Sequence, residues 1–290
     1  MQKTLTVSIT EEMNGLKIKA VLSQYVGLSR REISRLKFNE NGILLNGESA
    51  YITAIVHTGD ELKLSFPDHD LAHYTRISGK PEILYEDEDV VAVNKPAGMP
   101  CHPSHEHLDD DMGTLLQNYY GESFTIRAVG RLDKDVSGIM LYAKNQPAAA
   151  RLSKERSEGK LKKTYTAIAE GIFEKKQDTL TYRLSRIEGH KDRKITKEGQ
   201  ECITEYTVKE EYEDVSLLEV SIITGRTHQI RAGMAYAGHP LAGDKLYGGS
   251  TESISRPALH CGKVVFDQPF TDQTITVVCD IPDDMKKICK

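Results

Sequence analysis

From Pro67 to about Gly79 the chain is polar and contains Pro, Gly and two His, a composition that joins folded units rather than building one. It divides the 290 residues into a small unit, 1–66, a linker, 67–79, and a large unit, 80–290. The length suits one large domain plus a small one. With hydrophobic residues at 39% and charged residues at 28%, a globular protein with its own core is expected.

In the first unit, Leu16, Val21, Leu22 and Tyr25 are spaced for a short helix that Gly27 ends. Ser29 is placed to cap a second helix from Arg30 to Lys37, with Glu32 in its first turn and Ile33 and Leu36 three apart on one face. Ile43-Leu44-Leu45 followed by Asn46-Gly47 predicts a strand entering a tight hairpin, and Glu61 to Phe66 alternates as a closing strand. Ser29-Arg30 with Arg31, Arg35 and Lys37, then Gly42 to Gly47, then Gly59-Asp60, resemble the ribosomal-protein-S-four-like RNA-binding domain. That resemblance implies that Arg30, Arg31, Arg35 and Lys37 meet RNA phosphates.

The second unit mixes strands and helices without a βαβ rhythm, which predicts an α+β fold with a mixed, mostly antiparallel sheet. Ile83 to Tyr85 and Val90 to Val93 flank an acidic turn. Asn145 caps a helix, with Pro147 in its first turn, that runs to about Gly159. Thr204, Tyr206 and Val208 alternate, Leu217 to Ile223 form a further strand, and Thr227 to Ala237 is expected to be helical.

The net charge of −5 argues at first against a nucleic-acid partner, but the charges are segregated. Basic clusters stand at Arg30–Lys37, Arg151–Lys163 and Arg183–Lys197, and phosphates respond to a local positive face rather than to total charge. Each run also reads simply as a solvated surface, so charge alone decides nothing. No run of about 18 apolar residues suggests a membrane span, and the start lacks the pattern of a secretory signal. Five scattered cysteines, none in a C-x-x-C pair, read as reduced thiols of a cytoplasmic protein rather than disulfides or a zinc site.

The chemistry concentrates at Gly130-Arg131-Leu132-Asp133-Lys134-Asp135-Val136-Ser137-Gly138, just before the apolar Ile139 to Tyr142. Alone, Asp133 reads as a salt-bridged loop residue, or as a nucleophilic carboxylate between two cations. The context favours the second. The segment resembles the signature of the RluA-type family of RNA pseudouridine synthases, His-Arg-Leu-Asp, two variable residues, then Thr-Ser-Gly. Asn94 to Pro100 with His102-Pro103, Lys163 to Ala167, Thr224 to Arg231, Gly238 to Pro240 with Gly243-Asp244, and Arg256 with Leu259-His260 follow the family's other motifs in order. The likeness spans nearly all of residues 80 to 280.

The resemblance implies isomerisation of uridine to pseudouridine in structured RNA, ribosomal or transfer RNA, with no cofactor, no metal and no nucleotide. It implies Asp133 as the catalytic carboxylate, as nucleophile or as base, with Arg226 paired to it. Tyr165 is expected to stack on the base and assist proton removal at carbon 5. Arg131 is expected to hold the uridine flipped out of its stack, and His228 and Arg231 to be structural or phosphate-contacting. The added N-terminal unit favours large-subunit ribosomal RNA, by analogy with the family, and a monomer is expected. Gly130 and Val136 stand where the family usually has His and Thr, which points to altered RNA contacts or target choice. Competing readings are a hydrolase with a metal at His102, His105, His107 and Asp109–Asp111, whose spacing is not a zinc pattern, and a degenerate synthase that only binds RNA.

Overall fold

The computed structural model describes residues 3–28, 33–34, 36–37, 41–66, 79–102, 110–121, 125, 127–187, 189, 192–271 and 273–289. In the first unit a four-stranded antiparallel sheet has the order β1-β4-β2-β3, from Lys3–Ser8 (β1), Ile43–Leu45 (β2), Glu48–Ser49 (β3) and Glu61–Phe66 (β4). The β2–β3 turn is the Asn46-Gly47 pair, with φ of 53° and 86°, the double positive φ that a two-residue hairpin requires. Asn46 reinforces it, donating to Asp60 at 2.8 Å and accepting from the Glu61 amide.

The first helix, Ile18–Gln24 (α1), buries Ile18, Val21 and Leu22 against this sheet's core. Tyr25 departs from the expected apolar face: it is exposed, and its hydroxyl donates to the Glu12 carbonyl. Ile33 and Leu36 are helical and buried, and Lys37 is exposed. Ser29, Arg30, Arg31 and Arg35 lie outside the described residues.

The large unit is built on an eleven-stranded sheet. Its strands are Ile83–Glu86 (β5), Val90–Lys95 (β6), Arg127–Ala128 (β7), Ser137–Ala143 (β8), Lys162–Glu170 (β9), Gln177–Arg186 (β10), Arg193–Ile195 (β11), Gln200–Glu211 (β12), Val215–Ile222 (β13), Leu259–Asp267 (β14) and Thr274–Val278 (β15). The main order is β11-β10-β12-β13-β9-β14-β8-β6-β5, with β15 on β14 and β7 on β8. Every described pairing is antiparallel except β8 with β14, so the fold is the α+β, mostly antiparallel arrangement expected.

Every residue of β8 is buried, which explains its continuous apolar run. Gly138 has a φ of 110°, and a Cβ there would collide with the backbone of Cys261; only glycine lets β8 and β14 lie side by side where they turn parallel.

The helix Met112–Tyr120 (α2) is capped by Asp111. The helix Gln146–Ser157 (α3) starts as predicted, with the Asn145 side chain accepting from the Ala148 amide. Its two faces serve different cores. Ala148 and Leu152, four apart and hence on one side, belong to the large core, whereas Ala150 belongs to the core of the first unit. Lys154 of α3 also donates to the Gln24 carbonyl at 2.8 Å. A short helix, Gln229–Tyr236 (α4), begins two residues later than predicted, because His228 takes a left-handed φ of 59°. The last helix is Asp283–Lys286 (α5). Among the described residues, no helix is long and apolar enough to cross a membrane.

Candidate active site

Four segments converge on a cleft of about 400 Å³: the 130–136 loop before β8, the end of α3, the start of β9, and the 221–231 segment that links β13 to α4. Asp133 sits at its floor with its side chain 16% exposed. Leu132 beside it is buried, and its amide donates to Cys101 Sγ while its carbonyl accepts from that thiol, both at 3.2 Å. On the far side of Asp133, the Lys134 carbonyl accepts from Lys95 Nζ at 3.0 Å.

Lys95 is fully buried and donates to two further carbonyls, Pro96 at 2.9 Å and Met99 at 2.7 Å. Its three donors are thereby used on three backbone oxygens. One ammonium thus ties the 96–99 loop to the loop that carries Asp133. Burial lowers its pKa to about 8, against the opposing pull of Cys101, Asp135 and Asp133.

The cation beside Asp133 is Arg231, at 3.5 Å from its Oδ2, and not Arg226 as expected. Among the described residues, no ion pair joins Arg226 to Asp133. The reason is local. Gln229 accepts from the Arg226 amide and from the Thr224 hydroxyl and donates to the Ile203 carbonyl and to Thr204. This pins the 224–228 turn so that the Arg226 side chain is exposed, while Arg231, in the first turn of α4, is buried.

Arg231 is itself held by Asp244, which is fully buried and bonds it in a two-pronged fashion at 2.7 and 2.8 Å. Burial works against the Arg231 charge, but the Asp244 carboxylate outweighs burial and, with Asp133, raises the guanidinium pKa.

His228 Nε2 lies 3.8 Å from Asp133 Oδ2, and its Nδ1 is 3.0 Å from the Tyr247 hydroxyl. That hydroxyl also accepts from the Arg193 amide, so the imidazole is held between Tyr247 and Asp133. Burial lowers the His228 pKa, against the raising effect of Asp133, which favours the neutral ring. His228 and Arg231, expected to be structural or phosphate-contacting, thus flank the carboxylate.

Tyr165 lies on β9 between Val220 of β13 and Cys261 of β14. It is 5% exposed and lines the cleft. Burial pushes its phenol well above the ordinary value, so it is a neutral hydroxyl. Arg131, Arg156, Lys162 and Arg226 ring the mouth; all four are exposed, and none makes a side-chain hydrogen bond or ion pair with a described residue. Lys95, Gln229, Asp244, Tyr247 and Arg156 are the site residues that sequence reasoning passed over. Lys95 and Asp244 stood in quoted motifs, but their partners are distant in sequence. Among the described residues, no three His, Cys, Asp or Glu side chains gather as a metal site; His105, His107 and Asp109 lie outside them.

Residues 89–236 match the family described as RNA pseudouridylate synthase. The chain is 35% identical over 292 residues to the uncharacterized RNA pseudouridine synthase YhcT of Bacillus subtilis, which covers 99% of this chain and 96% of the relative. It is 30% identical to the ribosomal large subunit pseudouridine synthase D of Neisseria meningitidis, over 98% of this chain and 80% of the relative. The structure of human RNA pseudouridylate synthase domain containing 1 shares the fold, with a TM-score of 0.57 at 24% identity over 69% of this chain and 83% of that one. The chain therefore belongs to the RNA pseudouridylate synthases, isomerases that act on RNA, and within them to the RluA type.

Proposed function

We propose that this chain isomerises uridines of large-subunit ribosomal RNA, with Asp133 as the catalytic carboxylate acting on a nucleotide flipped into the cleft. The observation that carries this reading is the Asp133 carboxylate at the floor of an open cavity, contacted by Arg231 and facing His228. The reaction breaks the bond from ribose C1′ to uracil N1 and forms one from C1′ to C5. The C5 proton leaves and N1 ends protonated, so atoms and electrons balance within the nucleotide. A base inside folded RNA reaches such a floor only by leaving its stack.

Arg231, with His228 beside it, orients the carboxylate at the ribose. Tyr165, a neutral phenol, serves as an apolar wall for the uracil ring; the raised phenol pKa sets it against a role as proton acceptor at C5. Arg131 and Arg226 at the mouth hold phosphates, and Arg30, Arg31, Arg35 and Lys37 of the first unit, read as an RNA-binding domain, extend that grip. The name of the Neisseria relative supports ribosomal RNA over transfer RNA.

The test is pseudouridine formation on unmodified large-subunit ribosomal RNA and on transfer RNA transcripts. Wild type is expected to convert the ribosomal RNA, and Asp133→Asn to lose at least about a thousandfold in turnover, roughly 4 kcal/mol of barrier, while still binding RNA. Equal turnover by the variant would remove Asp133 from the chemistry.

A further inference from the structure

Gly130 and Arg156 are a pair that the motif does not explain. Gly130 takes a φ of 80°, a backbone state that L side chains rarely adopt. A Cβ built there would lie 2.9 Å from Arg156 Nη1, 3.6 Å from its Cδ and 3.9 Å from its Cζ. The Arg156 guanidinium thus lies over the space beside Gly130, across the loop that carries Asp133.

That guanidinium is exposed, lines the cleft and has no hydrogen-bond or ion-pair partner among the described residues. Its base is anchored. The preceding Lys154 is tied to the Gln24 carbonyl, and its Cδ would touch a Cβ at Gly27 at 3.3 Å. Glu155 accepts from the Asp267 amide at 2.9 Å. The last turn of α3 is thus fixed from two sides, while the cation it carries points over the cleft mouth with its five N–H donors free for a ligand. A planar guanidinium in that state matches a phosphate.

We propose that Arg156 is a phosphate-binding residue of the RNA site, gripping the backbone beside the nucleotide that enters the cleft. Gly130, whose φ of 80° already disfavours a side chain, leaves open the space that the Arg156 guanidinium crosses. This rests on the reading of the cleft as the uridine site and adds to it a binding residue outside every motif. It also gives the departure at position 130 a function: the RNA contact there comes from α3 instead of from the loop itself.

The experiment measures KM and kcat on an unmodified large-subunit ribosomal RNA transcript between about 50 and 200 mM salt, for wild type, Arg156→Ala, Arg156→Lys, Gly130→Ala and the double variant Gly130→Ala/Arg156→Ala. Arg156→Ala is expected to raise KM by about tenfold and to lower the slope of log KM against log salt by roughly 0.7, one phosphate contact on single-stranded RNA. Arg156→Lys is expected to keep the slope, since it keeps the charge. Gly130→Ala strains the loop in either background, so the part of its effect that reads the Arg156 contact is the excess KM increase in the wild-type background over that on top of Arg156→Ala.

An unchanged KM and slope in Arg156→Ala would overturn the proposal. Lys286→Ala, on α5, is the control for loss of a surface cation and should leave the slope intact. Filter binding of the same RNA to Asp133→Asn, with and without Arg156→Ala, separates this result from the reaction assignment. A changed slope there without pseudouridine from wild type removes the reaction and keeps Arg156; turnover by wild type with no change in slope does the reverse.

Discussion

The floor and the mouth of the cleft handle charge in opposite ways. On the floor Asp133, Arg231 and Asp244 form a chain in which each ionic side chain has a partner and little or no exposure. At the mouth Arg131, Arg156, Lys162 and Arg226 are exposed and have no side-chain partner among the described residues. A buried charge is tolerated only when it is paired, so the floor is a rigid device whose geometry is fixed before RNA arrives. An exposed cation without a partner loses little by waiting in water and gains when it displaces the counterions of a phosphate. On the proposed reading, one region positions and the other binds.

Breaking the floor should cost most. Asp244→Leu leaves Arg231 buried beside a single carboxylate. Loss of a buried partner costs about 3–5 kcal/mol, so we expect a melting temperature lower by on the order of 10 °C and turnover lost with it. A melting curve and an activity assay on the same sample check this. An unchanged melting temperature would mean that the Arg231–Asp244 pair is not the pillar of the floor. At the mouth, Arg226→Ala should leave the melting temperature unmoved and weaken RNA binding several-fold, with the salt slope reduced by about 0.7. If turnover fell as far as in Asp133→Asn, Arg226 would belong to the floor after all.

The smallest expected effect is a pH dependence that lies between the two regions. Lys95 holds the Asp133 loop from below and has its pKa lowered to about 8. Raising the pH through that value removes one of its three donors and should loosen the loop, so turnover should decline a few-fold above pH 8. Its stability contribution moves the other way. From about pH 8 to the ordinary lysine value, the unfolded chain binds a proton that the folded chain lacks, so stability rises with pH there. A pH–rate profile beside melting curves tests this: activity should fall without unfolding, and Lys95→Met should be slower and lose the alkaline decline.

The strands were legible because their signals are local. Alternation at Thr204, Tyr206 and Val208, the apolar run before Tyr142, the Asn145 cap and the Asn46-Gly47 turn each prescribe structure within a few residues. Asp133 was legible through the order of motifs around it. The pairing of Arg226 with Asp133, implied by the resemblance, is not the one seen: Arg231 stands beside the carboxylate. Continuing the helix back to Thr227 ignores the left-handed turn at His228 that the Gln229 side chain fixes. Asp244 and Lys95 were quoted as motif members, yet their partners lie 13 and 39 residues away, beyond any periodicity. The parallel step between β8 and β14 joins residues 123 apart, and nothing in either strand announces it. Arg156 read as one cation in a basic run, since its relation to Gly130 exists only once α3 is packed.

The helix α3 offers one side to the core of the small unit, through Ala150 and Lys154, and carries Arg156 to the cleft at its end. A tethered module searches for its site with an effective concentration that depends on the tether. Two surfaces mounted on one helix have no such freedom; they act as the jaws of a caliper set at one opening. On the proposed reading, in which both surfaces grip RNA, an RNA that spans both would be measured as well as held, so a fragment that keeps the target uridine but changes the distance to its outer contact should be refused by geometry, however good its sequence.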